Sequence, residues 1–201
     1  MNRATFLYVG ALLTVIASFL GLVTVPQVQL RGLGPVVDEQ GNPHPAAPEG
    51  AVAEGRVLYK GYGCMYCHSQ QVRPEGFGAD IERGWGMRRT VARDHIWDAP
   101  PLLGTMRTGP DLANIALRQP SKSWHYLHFF DPTLTSPGST MPRFPFLFQV
   151  VELAGERPYE AVDFPPDAGH EGEVLVPTHE AEVLYAYLMS LDASYAVPEV
   201  K

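Results

Sequence analysis

This sequence predicts an all-α domain carried on a single membrane-spanning helix, and three observations predict it. An uncharged run opens the chain, two helix-length amphipathic segments bracket its interior, and a close pair of cysteines stands directly after the first of them.

The opening run, "TFLYVGALLTVIASFLGLVTV", extends over 21 residues from Thr5 to Val25 without a charge. At about 1.5 Å per residue, a helix of that length crosses a hydrocarbon core. A cleaved signal peptide carries a shorter apolar region and a small-residue cleavage site. No A-x-A site follows here, and Pro26 closes the run, so residues 5–25 read as a retained anchor in the lipid bilayer. Arg3 and the amino terminus lie on the short side, opposed by Arg31 on the other. The positive-inside rule then puts residues 1–4 in the cytoplasm and the rest of the chain outside it. Residues 26–48 are rich in Pro and Gly and read as a linker to a domain over 49–195.

Within that domain, "EGAVAEGRVLYKG" (49–61) predicts a helix running straight into the cysteines. A second helix is expected around 110–118, where Pro110 and Asp111 suit a first turn. The last is "THEAEVLYAYLMSLDAS", with Thr178 as N-cap and Glu180 and Glu182 in the first turn. Its apolar face comprises Ala181, Leu184, Tyr185, Leu188 and Leu191. The stretch 150–177 is acidic and reads as loop. Nineteen prolines and nineteen glycines imply long ordered loops around a bound group. The net charge of -7 speaks against nucleic-acid binding, which shows a basic excess.

The two cysteines are the only ones in the chain, so no disulfide scaffold exists outside their own motif. Cys64-Met65-Tyr66-Cys67-His68 has the C-x-x-C-H spacing of c-type haem attachment. Two thiols three residues apart can reach two vinyl groups on one edge of a porphyrin, and the next residue, His68, can supply an axial nitrogen. A redox dithiol wants a βαβ context, and zinc wants two further ligands, for which His95, His125 and His128 are available. A sixth iron ligand would be a methionine or a second histidine. Met141 stands out, held by small residues and a proline in "SPGSTMPRFP", with His125 and His128 as alternatives. His/Met ligation gives a higher potential than a pair of histidines.

"RTGPDL" (107–112) resembles the Gly-Pro-x-Leu segment of class I cytochromes c, in which the proline carbonyl accepts from the axial histidine. That resemblance makes Pro110 the partner of His68, and implies a helix crossing in which Gly55 and Tyr59 meet Leu184 or Tyr187. Beyond it, "GCMYCHSQQVRP", "RTGPDLANIA" and "HFFDPTLTSPGSTMPRFPFL" resemble the mono-haem subunit (CcoO/FixO) of cbb(3)-type cytochrome c oxidases, over about Glu54–Leu147 and the anchor. The resemblance implies a class I cytochrome c-like domain with one covalent haem c, held by Cys64 and Cys67 and ligated by His68 and Met141. It implies a periplasm-facing electron carrier in a bacterial inner membrane. Its partners would be a multi-span haem–copper catalytic subunit, which reduces dioxygen, and a di-haem subunit or soluble cytochrome c as donor. Arg107 is expected either on a haem propionate or at an ordinary surface. The tail "SQQVRP" has no part in the thiol and imidazole chemistry, yet it and "RTGPDLAN" separate this family from the cytochrome c subunit of nitric oxide reductases. The other class left open is a metal-binding or dithiol assembly factor.

Overall fold

The computed structural model describes residues 3–200 and divides into two compact units. The first comprises the chain up to Pro45 together with Ala92–Ile96. It opens with α1 (Arg3–Phe19), a π-helical turn (Leu20–Thr24) and α2 (Val25–Leu30), which run on as one helix, Arg3–Leu30, long and apolar enough to cross a membrane. None of the residues of α1 or α2 is buried. The helix therefore extends past Pro26, where the sequence predicts an end. Proline has no N–H to give and crowds the carbonyl four residues back. The chain meets this with the π turn, in which the Val25 N–H reaches the Leu20 carbonyl, five residues back. Of the predicted cytoplasmic residues 1–4, Met1 and Asn2 lie outside the described residues.

The expected linker also contains structure. Strands β1 (Val36–Val37) and β2 (Pro43–His44) pair antiparallel. Asp38 organises their turn, accepting from the backbone of Gln40 and Asn42 and from the His44 ring.

The second unit, Ala46–Val91 with Trp97 onward, holds α3 (Gly50–Gly61), α4 (Ile115–Arg118), α5 (Lys122–Phe130) and α6 (His179–Met189). It is not all-α. Strands β3 (Phe148–Glu152), β4 (Val162–Asp163) and β5 (Glu173–Pro177) form an antiparallel sheet in the order β3-β5-β4, with Gln149 opposite Val176 and Val162 opposite Leu175. The acidic residues of 150–177 mask this, since they occupy turns and exposed strand positions while Val174 and Leu175 face the core. The predicted 110–118 helix shrinks to Ile115–Arg118, because the side chain and carbonyl of Asp111 are engaged elsewhere. Helix α5 begins at Ser121, whose hydroxyl accepts from the Trp124 N–H at 3.3 Å.

Helices α3 and α6 cross in close contact. A Cβ on Gly55 would lie 1.9 Å from the Val183 carbonyl oxygen and 2.8 Å from the Tyr187 Cβ, so only glycine admits this approach. One turn on, the rings of Tyr59 and Tyr187 meet at 5.2 Å. Of the predicted apolar face of α6, Ala181, Leu184 and Leu188 are buried, joined by Val183 and Tyr187. Thr178 precedes the helix as expected, but its hydroxyl donates to the Leu147 carbonyl at 2.9 Å and fixes α6 to the chain entering β3.

Candidate functional site

The cysteine loop is built by the end of α3. After Gly61 the chain turns at Gly63, whose φ of +77° lies in the left-handed region that favours glycine. It then enters a 3-10 turn over Cys64–Tyr66. The Cys64 carbonyl accepts from the backbone N–H groups of Cys67, at 3.2 Å, and His68, at 3.0 Å. This turn holds Cys64, Cys67 and His68 on one wall of a cavity of about 630 Å³. Both thiols are free and half-buried, and burial pushes the Cys64 thiol up to about 11.

The His68 ring is oriented from behind. Its Nδ1–H donates to the Pro110 carbonyl at 2.8 Å, which leaves Nε2 with its lone pair available. Gly109 lies against the same ring: a Cβ there would come within 2.3 Å of the His68 Cε1. No side chain larger than glycine's fits that contact. Burial also holds the imidazole below its ordinary range, toward the neutral form that ligates a metal.

The loop after α5 contributes further lining to the cavity. Met141 lines the cavity with Ser136–Thr140 and Pro142, half-buried among core residues. The Phe144 N–H donates to the Phe129 carbonyl at 2.8 Å and closes this loop onto α5. Leu112, Ile115, Leu184 and Leu188 supply apolar surface, and Phe129 and Phe144 supply aromatic surface. His128 reaches the cavity too, but its ring stacks on Trp124 at 4.4 Å and pairs with the Thr135 hydroxyl at 2.6 Å. Burial lowers it to about 4. The His125 ring is likewise engaged, with the Gln119 carbonyl at 2.7 Å from Nε2. His95 does not line this cavity. Among the described residues, no group of three or more His, Cys, Asp or Glu converges as a metal-ion cage.

Arg107 is placed elsewhere. Its guanidinium donates to the Asp80 carboxylate at 2.6 and 2.7 Å, to the Ser69 hydroxyl at 2.9 Å and to the Gln71 carbonyl. It also lies over the Trp85 ring at 5.4 Å and is absent from the cavity wall.

The "SQQVRP" tail, inert in the chemistry read from the sequence, is the support of the whole loop. Asp111, fully buried, accepts from the Ser69 hydroxyl and the Gln71 N–H, both at 2.7 Å, and from the Ala113 N–H at 2.8 Å. Gln70 Nε2 donates to the Tyr187 hydroxyl at 2.9 Å, tying the tail to α6. Val72 is buried, and Arg73 donates to Asp80 from its backbone and its guanidinium, both at 2.8 Å. The chain segments either side of His68 and Pro110 are thus pinned to each other. Small polar residues next to a buried carboxylate would have been the only signal of this in the sequence.

The cavity suits a flat, mostly apolar cofactor. Its volume falls in the ordinary range for cofactor sites, about 300–1,000 Å³. Its lining includes two thiols, an imidazole and a thioether, those of Cys64, Cys67, His68 and Met141. Arg118, on the same lining, has a buried Nε without a hydrogen-bond partner, which suits an anionic substituent on the occupant. Those features fit haem.

A membrane-span candidate and a cavity whose lining fits haem point to the class of membrane-anchored cytochromes. The family model "cytochrome C oxidase, mono-heme subunit/FixO" matches residues 2–160. The chain belongs to that family. It is therefore a haem-carrying subunit of a cytochrome c oxidase, which implies a catalytic subunit as partner. No curated protein matches the chain.

Proposed function

We propose that this chain is the covalently haem-loaded relay of a cbb(3)-type oxidase, with Cys64 and Cys67 as attachment points and His68 and Met141 as axial ligands. The observation that carries this reading is the single cavity on which all four side chains converge, with His68 already oriented by Pro110. The two thiols would add as S–H across the two vinyl groups, so attachment requires no oxidant. The bound haem supplies a reversible one-electron couple. The chain's own residues do the rest. His68 presents Nε2, Met141 offers a weak sulfur donor, and the apolar wall excludes water and favours the reduced state.

The membrane helix Arg3–Leu30 would carry the haem unit on the periplasmic face of a bacterial inner membrane, with the N-terminus cytoplasmic. Electrons would arrive from a di-haem subunit or a soluble cytochrome c and pass to the haem–copper catalytic subunit, where dioxygen is reduced. The nitric oxide reductase alternative is less well supported, because the match is to the oxidase family. Zinc chemistry is less well supported because, among the described residues, no group of three or more His, Cys, Asp or Glu is placed to hold a metal ion.

Replacing Met141 by His tests the ligand assignment. The expected result is a midpoint potential lower by about 100 mV or more, as axial methionine raises it. The near-infrared sulfur-to-iron band should vanish as well. An unchanged band and potential would remove Met141 from the iron.

A further inference from the structure

Two histidines besides His68 line the cavity, His125 and His128, and the fold sets their rings in different tautomers. The Gln119 carbonyl, which can only accept, stands 2.7 Å from the His125 Nε2, so that nitrogen carries the proton and is spent. His128 is set the other way round. The Thr135 hydroxyl has one hydrogen, which it donates to the Pro132 carbonyl at 3.3 Å. In its 2.6 Å contact with the His128 Nδ1 it therefore accepts, and the ring carries its proton on Nδ1. Nε2 keeps its lone pair, and no hydrogen bond to it is found among the described residues. The Pro110 carbonyl imposes the same tautomer on His68. It is the usual form of a metal-bound histidine, with one ring nitrogen held by an oxygen acceptor and the other basic. Burial, with the nearby charges of His125 and His68, lowers the His128 ring to about 4, so it is neutral at physiological pH.

His128 also stands beside the loop that carries Met141. That loop is tied to α5 at both ends. Thr135 holds it to His128, and past Met141 the Phe144 N–H donates to the Phe129 carbonyl at 2.8 Å. Met141 thus rides on a short closed loop whose two feet rest on adjacent residues of α5. The Trp124 ring stacks on one face of His128, and the Thr135 bond fixes its edge, so the imidazole is posed without use of its ligating nitrogen.

We infer that His128 is a reserve axial ligand, placed to take the haem iron through Nε2 whenever the Met141 thioether lets go. The inference rests on the haem reading above. A thioether is a weak donor, and an imidazole nitrogen is a stronger one. A haem iron left open at its sixth position takes up diatomic gases instead of serving electron transfer. A second nitrogen ligand keeps the iron closed and low-spin, at a lower potential than methionine gives it.

The test compares the full chain, matured with haem in membranes and purified in detergent, as wild type, H128Q, M141A, M141A/H128Q and M141A/H125Q. The readouts are the electron paramagnetic resonance spectrum of the ferric form and carbon monoxide binding by the ferrous form. H128Q should keep the near-infrared sulfur-to-iron band, because Met141 still occupies the iron. M141A should lose that band yet stay low-spin with two nitrogen ligands, and M141A/H125Q should match it. M141A/H128Q should become high-spin. If His128 closes the iron about nine-tenths of the time, M141A binds carbon monoxide about tenfold more weakly than M141A/H128Q. A high-spin M141A overturns the inference, as does an M141A/H128Q that stays low-spin through two nitrogens. Where M141A does not accumulate, M141L keeps the core volume and is read by the same outcomes. Failure of the haem reading is distinct. A wild type without covalent haem removes both, and a wild type already ligated by two nitrogens, low-spin only while His128 is present, overturns the Met141 assignment together with the reserve role.

Discussion

At the scale of single residues, two buried carboxylates do the most to hold the site. Asp80 is fully buried, and burial opposes its ionisation, yet hydrogen bonds from Arg73 and Arg107 outweigh this and hold its carboxyl well below the usual carboxylate range. Removing it strands two arginines. We expect Asp80→Asn to cost about 3 kcal/mol, the lower end for a broken buried ion pair, since both arginines keep some contact with water. Chemical denaturation at neutral pH measures this. Because the folded value is depressed, the stabilisation is present above the unfolded carboxylate value of about 3.9 and is lost as pH falls through the folded one. The wild type should therefore lose stability below about pH 4 more steeply than Asp80→Asn. Equal slopes would mean that Asp80 is not the linked group. At this scale the sequence was partly legible. The spacing of Cys64, Cys67 and His68 is short-range and stands in the sequence itself. The Asp80–Arg107 and Ser69–Asp111 pairs join residues 27 and 42 positions apart, and no local pattern announces them.

At the scale of elements, the helices that pack were readable and the sheet was not. Helices α3 and α6 carry their apolar residues at helical spacing, and the Gly55–Tyr59 pair marks the crossing that the structure contains. Gly55→Ala tests how tight it is. A Cβ 1.9 Å from the Val183 carbonyl must push the two helices apart. We expect a loss of about 3 kcal/mol, at the upper end for overpacking, measured by thermal or denaturant unfolding of the haem-loaded chain. A loss below about 0.5 kcal/mol, the range of ordinary surface substitutions, would contradict so close a contact. The strands β3, β4 and β5 escaped the sequence reading because their acidic residues and intervening prolines resemble loop, and a two-residue strand such as Val162–Asp163 has no alternation to detect. Helix α5 is hard to read from the sequence for a related reason. Its aromatic run "WHYLHFF" shows little helical contrast, and only the Ser121 cap marks its start.

At the scale of the whole molecule, the function rests on two features that sequence and structure share: an apolar helix suited to a bilayer and a cavity walled by two thiols, an imidazole and a thioether. Membership of the oxidase mono-haem family joins them into one respiratory component. The polar tail after His68 changes meaning between the two views. Read as sequence it points to a family, and in the fold it is the brace that ties the chain after the cysteine loop to Asp111, Asp80 and α6. The measurement that tests the central claim most directly is a haem stain of the full chain on a denaturing gel, run beside Cys67→Ala and Cys64→Ala. The account predicts a stained band at 22.1 kDa plus the cofactor for the wild type, and a weakened or missing band for each variant. A wild-type chain that loses all haem on denaturation, or a double cysteine variant that keeps it, would contradict covalent attachment at Cys64 and Cys67.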